Sequence, residues 1–358
     1  MTSVGSSRAL TRYAANGSHK WFSSQSCLTN TEVRKQRNKA FVAEKKRQMS
    51  LITRVEKIKV EFKGHPEDTT LIMNRGLSTP YNCAMHMEEL LRNRSALALV
   101  DGRPWDMHRP LVKDCELQFL HFQEQIPYLS NMVNKAFWRS GSFLLGYIMD
   151  RAFKDQYYVE PHSWPAPDIR SGSFICDIDL KMDNWTPNEE ERNCLTRIGY
   201  NMLLSTSSKV FERLEVDASV AQDMFADNRF KLEQIPDIAA KSKSQNTVTV
   251  YKLDDHIDIS GGPMIANSGL VGLFAVSAVH PIDTKFGRLH RVQGLALPTQ
   301  LKIRSWTWKL LLERAAKYNA TRLPGEVPSS DDNISGSQTI EQPFLPPSGA
   351  SRPQEATT

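Results

Sequence analysis

Three histidines, His256, His280 and His290, stand close enough in the chain to be considered first as ligands or as acid/base groups. A zinc or hydrolytic site needs imidazole, thiolate or carboxylate donors at short, fixed spacings. No cysteine and no carboxylate pair stands at ligand spacing beside these three, so they read as satisfied surface or core groups. The five cysteines, Cys27, Cys83, Cys115, Cys176 and Cys194, are scattered, odd in number and without a C-x-x-C pair. They read as reduced thiols, mostly buried. Ser260-Gly261-Gly262 has the outline of a phosphate cradle but lacks the Lys-Ser/Thr that would follow in a P-loop. Its glycines are expected to serve backbone geometry. The side chains predict no metal, no cofactor and no small-molecule substrate.

Charge is the more telling chemistry. Residues 1–57 hold 12 Lys+Arg against 3 acids, net +9, so the remaining 301 residues carry −4 of the overall +5. A basic arm on a near-neutral body is the footprint of contact with a phosphate backbone. Residues 1–31 contain no Asp or Glu, seven Ser, and Arg8, Arg12 and Lys20, the composition of a mitochondrial presequence. Residues 32–56 form a basic arm: EVRKQRNKAFVAEKKRQMSLITR has good helix formers and no Gly or Pro, and predicts a helix. Its cations Arg34, Lys35, Arg37, Lys39, Lys45, Lys46 and Arg47 fall on every face, leaving little apolar stripe, which predicts a helix lying on RNA rather than on its own domain. Trp306 and Trp308, beside Lys302, Arg304 and Lys309, offer either stacking for unpaired bases or an aromatic side docked on the domain.

The elements behind these residues read as α+β. In residues 57–121, KIKVEFKG and LIMNRG are strands joined by a turn, and YNCAMHMEELLRNRS is a helix with Ser78 and Pro80 in its cap region. ALALVDG and CELQFLHF follow as strands. From 122 to 320, FWRSGSFLLGYIMDRAF has the period of a long core helix, a helix opens at Thr186, and NTVTVYKLDDHIDI is a hairpin. LVGLFAVSAV, from Leu270, is apolar but too short to span a membrane. Residues 321–358, rich in Pro, Ser and Gly, cannot form a core and read as a disordered tail.

LSTPYNCAMHM, ALALVDGRPWDMHRPL and CELQFLHF are similar to the TGS domain, a β-grasp fold, at the front of threonyl-tRNA synthetases. RSGSFLLG (139–146) and DISGGPM (258–264) resemble the HSxAHLLG and DLCRGPH segments of the editing domain that follows it. The correspondence puts the family's two His of the first segment on Arg139 and Phe143, its Cys on Ser260 and its last His on Met264. What it implies is a degenerate editing-like domain at 122–320 with no catalytic group, since Arg139 cannot act as a base and Phe143 and Met264 are core-type side chains. The resemblance further implies that no synthetase activity is expected, since the family's class II catalytic domain would need several hundred residues and about 35 follow position 323.

An import signal, a basic arm and a synthetase front end without its chemistry together resemble a family of structural proteins of the mitochondrial large ribosomal subunit. That resemblance implies contacts with mitochondrial rRNA and other large-subunit proteins, and residence on the ribosome of the matrix. Two alternatives stand beside it. One is a free-standing trans-editing protein; the other is a TGS-type adaptor that binds tRNA or protein off the ribosome.

Overall fold

The computed structural model describes residues 28–182, 185–204 and 207–324. The expected presequence therefore lies almost wholly outside the described residues, and so does most of the expected tail.

The first helix, α1 (Asn30–Ser50), starts where Thr29 accepts from the Glu32 amide while the Glu32 carboxylate accepts from the Thr29 amide. This reciprocal cap satisfies two amides that a helix start leaves open. Next come β1 (Lys57–Phe62) and β2 (Thr69–Asn74), paired antiparallel. The following helix is capped by Thr79, bonded to Asn82, and not by Ser78. It is also two helices: α2 (Pro80–Met87) and α3 (Glu89–Arg94) meet at Glu88, whose backbone is extended. The break turns Leu91 into the core and leaves Leu90 exposed. Then β3 (Leu97–Val100), β4 (Arg103–Trp105) and β5 (Cys115–Leu120) complete a five-stranded sheet in the order β2-β1-β5-β3-β4. Its β1 and β5 are parallel and the other pairings antiparallel. The short β4 goes beyond the sequence expectation; three residues around Pro104 carry no strand period.

The larger unit is organised by the 26-residue α4 (Pro127–Ala152). After it come β6 (Glu160–Ser163), β7 (Phe174–Asp179), α5 (Glu189–Leu203), β8 (Glu212–Asp217), α6 (Ala218–Met224), α7 (Arg229–Ala240), β9 (Thr247–Leu253), β10 (His256–Ile259), β11 (Val271–Thr284), β12 (Gly287–Pro298) and α8 (Ser305–Ala315). The strands form a three-stranded sheet β10-β9-β8 and a four-stranded sheet β11-β12-β7-β6. The architecture is mixed α+β. The cap of α5 is Asn188, bonded reciprocally with Glu191, rather than Thr186.

Close approach explains one glycine of the RSGSF segment. A Cβ on Gly141 would lie 2.6 Å from the Phe174 ring, so α4 can rest against β7 only without one. One hydrophobic cluster runs from Val60, Leu97 and Leu117 of the first sheet into Phe143, Leu145 and Phe274 of the larger unit. The two are also tied by backbone: the Ala266 amide donates to the Ala96 carbonyl at 3.0 Å.

Candidate functional site

The four positions matched to the editing residues come from two elements, α4 and the loop after β10. Arg139 and Ser260 line one cavity of about 800 Å³; Phe143 and Met264 do not. Phe143 is 0% exposed and packs edge-on against Trp164, Phe211 and His256, with ring centroids 5.9, 6.0 and 4.8 Å away. Met264 is buried beside the Ser140 hydroxyl, and its amide donates to Asp106 Oδ1 at 2.8 Å. Where imidazoles would be expected by the resemblance, the chain has core packing.

Arg139 reaches across to donate from Nη1 to the Pro263 carbonyl at 2.9 Å. Burial lowers its pKa, opposed by Tyr251 and Asp106, and the guanidinium remains charged near neutrality. Ser260 Oγ accepts from the Gly262 amide at 3.4 Å. Gly262 has φ +59° and a Cβ there would meet the Tyr251 hydroxyl at 1.9 Å, so this glycine does serve backbone geometry as expected; Gly261 faces open space. Tyr251 donates to Asp106 at 2.8 Å, and burial raises the pKa of both groups.

The cavity wall is cationic. Arg109, Arg213, Lys231, Lys241 and Lys243 join Arg139 there, and Glu215 is the one carboxylate among the described lining residues. Both Arg109 (3.1 Å) and Arg213 (2.7 Å) hold that carboxylate, and Lys231 is spent on Asp258 at 2.7 Å. The cavity's walls therefore offer no imidazole or thiolate to orient water toward an ester. This basic lining is not legible in the sequence, because its members come from α4, β8, α7 and the loops after β4 and α7.

The three histidines are not gathered. His256 is buried against Asp150, His280 Nε2 lies 3.2 Å from the Ala316 carbonyl, and His290 packs near Trp185. Of the described cysteines, Cys83, Cys115 and Cys176 are buried and Cys194 is exposed, while Cys27 lies outside the described residues; burial pushes the Cys83 thiol up to about 12 and Cys115 to about 11.

The basic arm departs from expectation. Helix α1 docks on its own domain, with Asn30, Val33, Arg37, Phe41 and Glu44 on a buried face. Phe41, 1% exposed, joins a cluster with Leu214, Val216, Phe225, Val248 and Ile257. Arg37, expected on a phosphate-facing surface, is instead buried, paired with Asp227 and stacked 4.9 Å from the Phe225 ring. Burial opposes its charge, and Asp227, Tyr158 and Asp150 together outweigh that, raising its pKa. Arg34 donates to the Asp150 carbonyl at 2.5 Å and lies 3.4 Å from Asp255. Lys45 pairs with Glu212 at 2.6 Å and Arg47 with Glu44 at 2.7 Å.

Lys35, Lys39 and Lys46 are exposed and make no ion pair among the described residues. At 100° per residue their side chains lie within about 40° of one another and span about 16 Å of helix. Val42 and Met49, also exposed, share that stripe. Trp306 is exposed and Trp308 half-buried.

No protein-family model matches the chain. The Drosophila melanogaster protein "Large ribosomal subunit protein mL39" is 44% identical over 293 residues, 81% of this chain and 86% of that protein. The mitochondrial threonine–tRNA ligase 1 of Arabidopsis thaliana is 28% identical over 246 residues, and the mitochondrial threonine–tRNA ligase of Rattus norvegicus 28% over 233. The chain spans only 32% and 30% of those two ligases. With that identity across most of both chains, and with core side chains or a guanidinium where a hydrolase would need imidazole, the protein belongs to the mL39 family of large ribosomal subunit proteins.

Proposed function

We propose that this protein is a non-catalytic, structural component of the mitochondrial large ribosomal subunit, contacting rRNA and neighbouring ribosomal proteins in the matrix. The similarity to mL39 carries the reading. The acid-free, Arg- and Ser-rich segment 1–31 supports import as a presequence. Residues 32–56 are the basic arm, 57–121 a TGS β-grasp domain, 122–320 a degenerate editing-like domain, and 321–358 a tail. The five-stranded sheet with α2 and α3, together with the ligase similarity, supports the β-grasp assignment.

The rRNA contact belongs to the outward stripe of α1. Of the seven cations named in the arm, Lys35, Lys39 and Lys46 are free to neutralise phosphates. Lys45 and Arg47 are exposed but already engaged, and Arg34 and Arg37 hold the helix to the protein. The alternative, a free-standing tRNA-binding or trans-editing protein, is disfavoured by Phe143 and Met264, which are buried off the cavity rather than facing it. The deciding measurement is sedimentation of mitochondrial extract: the protein should travel with the large subunit and stay on it at moderate salt. A protein found only in the light fractions would defeat the reading.

A further inference from the structure

Helix α8 is held at its C-terminal end and bare along one face. The Ala315 carbonyl accepts from Ser277 Oγ at 2.9 Å and Gln293 Nε2 at 2.8 Å, and Arg314 donates to the Arg170 carbonyl at 2.9 Å. Trp308, Leu311 and Leu312 are half-buried on the inner side. On the other side Trp306, 58% exposed, and Leu310, 53% exposed, stand one turn apart, with Leu301 and Ile303 exposed in the segment leading into the helix. Lys302, Arg304 and Lys309 flank them, are exposed, and make no ion pair among the described residues. Glu313 is the one acid of the helix.

An exposed tryptophan with aliphatic neighbours and a charged rim has the composition of a protein-binding hot spot. Leaving this apolar surface in water is unfavourable, and a neighbour's apolar side chains relieve that. RNA would suit Trp306 and the cations, but it offers little to match Leu301, Ile303 and Leu310. A second copy of this chain is disfavoured by charge, since it would set Lys and Arg against Lys and Arg.

We propose that the face formed by Ile303, Trp306 and Leu310, rimmed by Lys302, Arg304 and Lys309, docks an acidic, apolar segment of another protein. Where the ribosomal reading holds, that partner is a large-subunit neighbour, but the docking chemistry stands apart from it.

The test replaces Trp306 by the photoreactive p-benzoylphenylalanine in the full chain within mitochondria, irradiates, and sequences the crosslinked product. The expected product is a peptide of another protein with apolar residues flanked by Asp or Glu. Its yield should fall about tenfold or more when Lys302, Arg304 and Lys309 are all changed to Glu, while the melt of the purified variant is unchanged. A crosslink to RNA, to a second copy, or to residues 325–358 of the same chain would overturn the proposal, as would none at all or a yield indifferent to the charge reversal. Sedimentation is read separately. An acidic protein crosslink in light fractions would keep this inference and defeat the ribosomal one.

Discussion

Arg37 and Asp227, 190 residues apart in sequence, face each other in a buried pair closed by the Tyr158 hydroxyl and the Phe225 ring. Tyr158 donates to the same carboxylate at 2.5 Å. The pair fastens α1 to the larger unit, so the basic arm is part of the fold and not an appendage.

Removing one partner of a buried pair leaves the other charge uncompensated, at a cost of about 3 kcal/mol or more. Arg37→Ala should therefore destabilise the protein by about that amount, read by urea unfolding. The double variant Arg37→Ala with Asp227→Ala should lose less than the sum of the two single changes. Additive losses would mean that the pair does not couple.

The outward lysines should behave in the opposite way. Lys35→Gln, Lys39→Gln and Lys46→Gln together should shift stability by roughly 0.5 kcal/mol or less, as surface changes do. Binding to large-subunit particles lacking this protein should weaken, and the slope of log K against log salt should flatten by about one unit for each phosphate no longer neutralised. An unchanged slope would take the rRNA interaction away from this stripe.

The purified protein should not deacylate Ser-tRNA(Thr). Turnover above background that Ser260→Ala abolishes would contradict this. Phe143→His should not restore activity and should cost about 2 kcal/mol or more, since it replaces a fully buried ring by a polar one whose nitrogens need partners. A melt and a deacylation assay on the same sample read both.

Acid should destabilise the fold through two buried histidines, His108 and His162. Burial pushes His108 and His162 down to about 4 from the ordinary 6.5, so both are neutral when folded and take up protons on unfolding below pH 6.5. The unfolded state then binds more protons, and stability falls as pH drops from 6.5 to about 4, with a slope approaching about 1.4 kcal/mol per pH unit per histidine. His162→Gln should flatten the urea-derived stability profile by up to one such histidine. Below that window the Asp150 carboxylate, whose pKa is lowered by His256 and Arg37 against the desolvation of burial, adds a further loss as pH falls below 3.8.

Much of this protein was legible in its sequence. The strands β1, β2, β3 and β5, the long helix α4, the hairpin through Asp254, the mixed α+β class and the absence of imidazole and thiolate at positions 139, 143, 260 and 264 all rest on local period and residue type, which need no partner to be read, whereas β4 and the break between α2 and α3 do not. The docking of α1 was not legible. Its buried face is written in Asn30, Arg37 and Glu44 as much as in Val33 and Phe41, so no apolar stripe appears, and its tethers are supplied by Tyr157, Asp227, Asp255 and Glu212 from distant turns and strands. Sequence shows how many cations the arm has. Only the tertiary structure decides which are spent, because a lysine and an arginine look equally free until the chain brings a carboxylate to one of them and leaves the other facing water.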